Sequence, residues 1–215
     1  MWSKTAVSTL VLVFGTVTGL VTAPAAGAEA VCNTTFQGAT IEGDLVVPAG
    51  ADCQLLLGTV VHGSVVVRDG GALFVNRSSI EGNLGAEGGH LTLRIGRVSG
   101  NLTARHGSFA MLGGDIGGTV LLEGLLPTPN LVVSGLLTGH FTGDVILRGM
   151  SMSDKPFSIS DSFFDRSLLV YGNQVPVEIT FNRVGGVMAC DGNVPPPTGH
   201  DNTAVLGKLG QCASV

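Results

Sequence analysis

The sequence predicts an all-β fold: a right-handed parallel β-helix, a solenoid of about eight turns stapled by a disulfide near each end. Three observations predict it. A Gly-centred segment recurs every 18–25 residues, apolar residues alternate after each pivot, and the four cysteines fall into two pairs spaced 21 and 22 residues apart.

Residues 1–30 read as a signal peptide rather than as fold. Lys4 is the only early charge, an apolar run follows from Ala6 to Ala23, and Ala26-Gly27-Ala28 and Ala28-Glu29-Ala30 are small-x-small cleavage signals. The run is long enough for a retained anchor, but two cleavage signals directly after it favour removal. Cleavage leaves no stable membrane span and a secreted or cell-surface product. Residues 31–215 then make a single domain with a C-terminal cap over 186–215. The formal charge is −5, with charged residues at 13 % and aromatics at 5 %. Neither sign clusters, so no nucleic-acid partner is expected. Glycine is abundant, at 33 residues, alongside plentiful Val, Leu and Ile. That mixture suits many short strands and tight corners.

The pivots of the repeat are Gly43, Gly63, Gly82, Gly100, Gly118, Gly143, Arg166 and Gly185. Two places before them stand Ile41, Val61, Ile80, Val98, Ile116, Phe141 and Phe164, with Arg183 breaking the row in the last copy. Two places after them stand Leu45, Val65, Leu84, Leu102, Val120, Val145, Leu168 and Val187; four after, Val47, Val67, Ala86, Ala104, Leu122, Leu147, Val170 and Ala189. A period of two means a strand with one buried face. A second strand per turn is expected at Ala72 and Phe74, Leu91 and Leu93, and Phe109 and Met111. One copy cannot bury its apolar face alone, and stacked copies can. The leucine-rich-repeat pattern of the same length is missing. Right-handedness follows from the crossover rule for parallel strands.

Cysteines one turn apart stack within bonding range, whereas opposite ends of a rod do not meet. The spacing therefore predicts Cys32–Cys53 and Cys190–Cys212. The rival reading, a metal or redox pair, lacks C-x-x-C and a histidine at ligand spacing.

The residues between the inward rows face solvent. One place after the pivot, Asp44, Ser64, Asn83, Asn101, Thr119, Asp144 and Ser167 are expected to form a hydrogen-bonded ladder. Five places after it, Arg68, Glu87, Arg105, Glu123 and Arg148 alternate in sign, as a ladder of cross-strand ion pairs would. Three places after it, Leu121, Ile146, Leu169 and Met188 are apolar on an outward face. Either the long segment 149–165 covers them or they form an interaction surface for a partner.

A polysaccharide-cleaving β-helix needs clustered carboxylates and a base. Here single acids are spread thinly, and the five histidines share no row. Asp154, Asp161 and Asp165 form the one acidic grouping, read as a solvated loop in preference to a calcium site. No catalytic, cofactor-binding or metal-binding residue is assigned and no cofactor is expected. The leading functional expectation is a non-catalytic structural or interaction protein. A carbohydrate-binding or polysaccharide-cleaving β-helix is the alternative, and a self-assembling rod a third reading. The partner stays open between a cell-envelope component and a glycan.

The C-terminal stretch is the most specific text in the chain. It runs Val184-Gly185-Gly186-Val187-Met188-Ala189-Cys190-Asp191-Gly192-Asn193-Val194-Pro195-Pro196-Pro197, then Asn202, Gly207 and Gly210-Gln211-Cys212. It resembles the close of uncharacterised secreted bacterial Gly-rich β-solenoid proteins, which share a C-x-G-N-x-P-x-P…G-Q-C ending. Copies such as Ile41-Glu42-Gly43-Asp44-Leu45 are also similar, more weakly, to bactofilins. The first resemblance implies a secreted solenoid; the second implies a polymer-forming β-helix.

Overall fold

The structure, a computed structural model, describes residues 29–126, 134–151 and 155–215. The signal peptide expected over 1–30 lies outside these residues except for Glu29 and Ala30. The chain coils into a parallel β-solenoid of about eight turns.

The first inward row forms a single stack. Leu45, Val65, Leu84, Leu102, Val120, Val145, Leu168 and Met188 are paired in parallel, turn on turn. All are buried. Their strands build a ten-stranded sheet that begins at Ala30–Val31 and ends at Lys208–Gly210. Behind it lies a fifteen-stranded parallel sheet. Its long arm includes Asp52–Leu56, Ala72–Asn76, His90–Val98, Ser108–Ile116, Ser134–Phe141, Phe157–Ser160 and Val177–Thr180. Short strands such as Val60–Val61, Ser79–Ile80, Phe163–Phe164 and Arg183–Val184 form a second arm. The core between the sheets is a continuous column of Val, Leu, Ile and Phe.

Corners follow from simple sterics. The arms meet at one residue per turn in the left-handed region: Gly38, Leu57, Arg77, Ile95, Gly113, Thr138, Asp161, Phe181 and Asp201, with φ from 49° to 74°. Residues with a Cβ sit here at a cost on the order of 1 kcal/mol each, and their side chains point to solvent. The pivot glycines are different. An added Cβ on Gly63, Gly82, Gly100, Gly118 or Gly143 would lie 2.3–2.7 Å from the backbone of the turn before. Close stacking of backbone selects glycine there, not left-handed φ.

Two expectations shift by one residue. The last pivot is Gly186, not Gly185. Val184 stacks on Phe164 and Arg183 faces outward on Phe163, so the apolar row is unbroken. Met188 and Cys190 then take the inward places expected of Val187 and Ala189. Upstream, Leu73 and Val75, not Ala72 and Phe74, are buried beside Leu91 and Leu93. The cause is one additional residue in the corner before that strand, since Gly63 to Gly82 spans 19 residues and Gly82 to Gly100 spans 18.

The last turns add internal polar ladders. Asn182 and Asn202 are buried at one corner, and Asn173 and Asn193 at another. The Ser162 N–H donates to Asn182 Oδ1, and the Asn182 N–H to Asn202 Oδ1. The Met150 N–H donates to Asn173 Oδ1, Asn173 N–H to Asn193 Oδ1, and Asn193 N–H to Gln211 Oε1. Buried backbone amides at the bends are thereby satisfied. Both disulfides form as spaced, Cys32–Cys53 with Cα atoms 5.4 Å apart and Cys190–Cys212 with 4.9 Å. The 3-10 turn Gln211–Ser214 closes the end of the core with Cys212, and Val215 beyond it is also buried.

The shifted register makes a sharp mutational contrast. Met188→Lys is expected to lower the denaturation midpoint strongly, by burying a charge. Ala189→Lys, one place on and outward, should change stability by only about 0.5 kcal/mol. Leu102→Ala should cost about 2–5 kcal/mol in the same measurement.

Candidate functional site

On the outer face of the ten-stranded sheet, polar side chains are spent on the rod itself. The Ser64 N–H donates to Asp44 Oδ1 (2.7 Å) and the Asn83 N–H to Ser64 Oγ (3.1 Å). Next, the Asn101 N–H donates to Asn83 Oδ1 and the Thr119 N–H to Asn101 Oδ1, both at 2.8 Å. Farther along, the Ser167 N–H donates to Asp144 Oδ1 (3.0 Å). Each side chain caps the backbone of the next turn where the pivot bend leaves it unpaired.

The charge row is in register, with Glu87 over Arg105, Arg105 over Glu123 and Glu123 over Arg148. Ion pairs close over part of it. Glu123 accepts from Arg105 Nε and from Arg148 Nη2, each at 2.9 Å. The hydrogen bond from Arg105, with the charge of Arg148 beside it, holds the Glu123 carboxyl below its ordinary pKa. Glu87 instead meets His106 Nδ1 at 2.7 Å. Among the described residues Arg68 makes no ion pair.

Leu121, Ile146 and Leu169 stack on one another and are half-buried. Met188 does not join them. It lies in the core, fully buried, because the last turn is offset by a residue. The row continues instead to Ala189 and Leu209. Of the long segment 149–165, Met150 and Phe157 are buried in the core, and Phe157–Ser160 joins the opposite sheet. Asp154 lies outside the described residues, Asp161 occupies a corner, and Asp165 meets a histidine. The acidic grouping is thus divided, and among the described residues no three His, Cys, Asp or Glu side chains converge as a metal ion requires.

Two histidines lie between acids of the turns on either side. His62 lies between Glu81 (2.7 Å from Nδ1) and Glu42 (3.8 Å from Nε2). His140 lies between Asp165 (3.1 Å from Nε2) and Asp115 (3.7 Å from Nδ1).

A broad concavity lies along the corner where the two arms of the fifteen-stranded sheet meet. It is a groove of about 540 Å³. Corner residues Ile95, Thr138, Asp161 and Phe181 form one wall; Asp115, His140, Phe163 and Arg183 form the other. Phe163 and Phe181 are 46 % and 52 % exposed. The His140 ring packs on Phe163 with centroids 5.4 Å apart, and His200 makes an edge contact with Phe181 at 4.9 Å.

The sequence reading did not mark these two phenylalanines. The signal was present. Phe163 precedes inward Phe164, so alternation turns it outward. Phe181 stands at the corner place held by Thr138 and Asp161 in earlier turns.

No family model, no curated protein and no solved structure matches the chain.

The His62 bridge sets a pH dependence. The hydrogen bond that His62 Nδ1–H donates to Glu81, aided by the charges of Glu81 and Glu42, raises its pKa above the ordinary histidine value. A raised folded pKa gives stabilisation that is complete below about pH 6.5 and lost as pH rises through the folded value. An NMR titration should place the His62 midpoint above that of an unperturbed histidine side chain, and Glu81→Gln should move it down.

Proposed function

We propose that the chain is an exported, non-catalytic structural or interaction protein of the cell surface or surrounding medium. The observation that carries this reading is the commitment of outward polar groups to inter-turn bonds. Asp44, Ser64, Asn83 and Asn101 each cap the next turn, and Arg105, Glu123 and Arg148 are tied to one another. Groups so engaged serve durability rather than turnover. Two disulfides belong to an oxidising compartment. The apolar run Ala6–Ala23 and the small-x-small sites after it, read as a signal peptide over 1–30, support export. Among the described residues no helix is long and apolar enough to cross a membrane.

Carbohydrate binding is the second reading, and the groove with its exposed Phe163 and Phe181 favours it. Large exposed apolar groups rimmed by polar side chains mark interaction sites.

The test is incubation of the purified chain with a panel of soluble polysaccharides, followed by assay for new reducing ends and for unsaturated uronate products. Neither should appear above buffer. Release of either product, lost on Asp165→Asn or His140→Gln, would overturn the non-catalytic reading.

A further inference from the structure

We propose that the groove between the two arms binds an extended, neutral, β-linked glycan lying parallel to the solenoid axis. This rests on the carbohydrate-binding reading above and gives it a site, an orientation and a substrate class.

Orientation follows from how the walls are built. From Thr138 to Phe181 each turn contributes one corner residue to one wall and one second-arm residue to the other. The corner line from Ile95 through Gly113, Thr138 and Asp161 to Phe181 follows consecutive turns, and all of it but Gly113 lines the groove. Turns stacked as parallel strands advance by ~4.8 Å, so this wall runs for ~20 Å along the axis. A pyranose unit in an extended β-linked chain advances by close to one turn. A polymer in the groove therefore meets a fresh pair of walls at each sugar.

The wall chemistry suits a sugar on both of its surfaces. The C–H face of a pyranose is weakly apolar and fits against Phe163, Phe181 and the exposed side chain of Ile95. Its hydroxyls both donate and accept. Asp115 and Asp161 accept only, Arg183 donates only, and His140 does either according to its tautomer. Among the charged lining residues Asp115 and Asp161 outnumber Arg183, which disfavours a chain carrying carboxylates. The occupant is therefore neutral rather than a polyuronate.

A peptide is less well suited. Peptides in open grooves on sheets gain their affinity by adding a strand to a free edge. Along this corner the edge is occupied, because the backbone of each turn is bonded to the next. The Arg77 N–H donates to the Arg94 carbonyl, that of Asp161 to Thr180, and that of Phe181 to His200. Only side chains are on offer.

The two aromatic anchors are open to mutation without harm to the fold. Phe163 is outward on its strand, and Phe181 has φ 57°, where asparagine is comfortable.

The test uses the full folded chain and two probes, cellohexaose and hexagalacturonate, with affinity by calorimetry and the binding surface by NMR shift changes. Cellohexaose is expected to bind and to shift the amides around Phe163, Phe181 and His140, with hexagalacturonate at least about tenfold weaker. The double variant Phe163→Ser with Phe181→Asn should weaken cellohexaose about tenfold or more. Leu57→Asn, at an equivalent exposed corner outside the groove, should leave affinity unchanged. Unchanged affinity in the double variant, with its fold intact by circular dichroism, would sink the groove assignment while leaving carbohydrate binding standing. No binding of cellohexaose by the native chain would sink both. Tighter binding of hexagalacturonate than of cellohexaose would overturn the substrate class.

Discussion

Stacking at a fixed spacing governs this molecule. Parallel strands require like positions to lie directly over one another, because the backbone bonds of one turn are made to the next. From that requirement follow the single internal column, the pairing of cysteines one turn apart, and the glycine at the pivots from Gly63 to Gly143. Where backbone lies against backbone, as at Gly82 over Gly63, there is no room for a Cβ. The same constraint makes every outward side chain a neighbour of its counterpart above and below. Ladders of asparagine, serine and aspartate are its direct consequence.

Bends would otherwise leave amides unpaired in a dry interior, and the chain answers in two ways. Along the early turns the inward corner place is small, and added bulk would strike the Val67 side chain at Gly89 and backbone at Gly107. In the last turns it is Asn173, Asn193, Asn182 or Asn202, whose amide groups satisfy buried donors and acceptors at once. The internal ladders therefore run through the turns that lead up to the Cys190–Cys212 bridge.

The rows that define the fold were legible because stacking imposes one residue type at one phase, and eight copies make the phase plain. Single copies were less secure. The consecutive pair Gly185-Gly186 offers two candidate pivots, and alternation alone cannot choose between them; contact of Val184 with Phe164 decides it. The corner before Leu73 holds one residue more than those of the turns that follow, which moved the strand behind it. The charge row was readable as register, but not as partnership: Glu87 lies over Arg105 yet turns to His106, since Arg105 is already held by Glu123. The groove was not legible at all. It depends on how far two arms splay at a bend, a quantity no spacing records, although the outward place of Phe163 was implicit in its neighbour Phe164.

The line of left-handed corner residues carries Leu57, Arg77, Ile95, Thr138, Asp161, Phe181 and Asp201, a set with no common size, charge or polarity. Nothing inside the rod depends on which of them is present, since the backbone alone makes the bend. Evolution can thus rewrite this ridge one letter at a time while the interior stays fixed. A scaffold of this kind separates the part of a protein that must be conserved to exist from the part that is free to change what it touches.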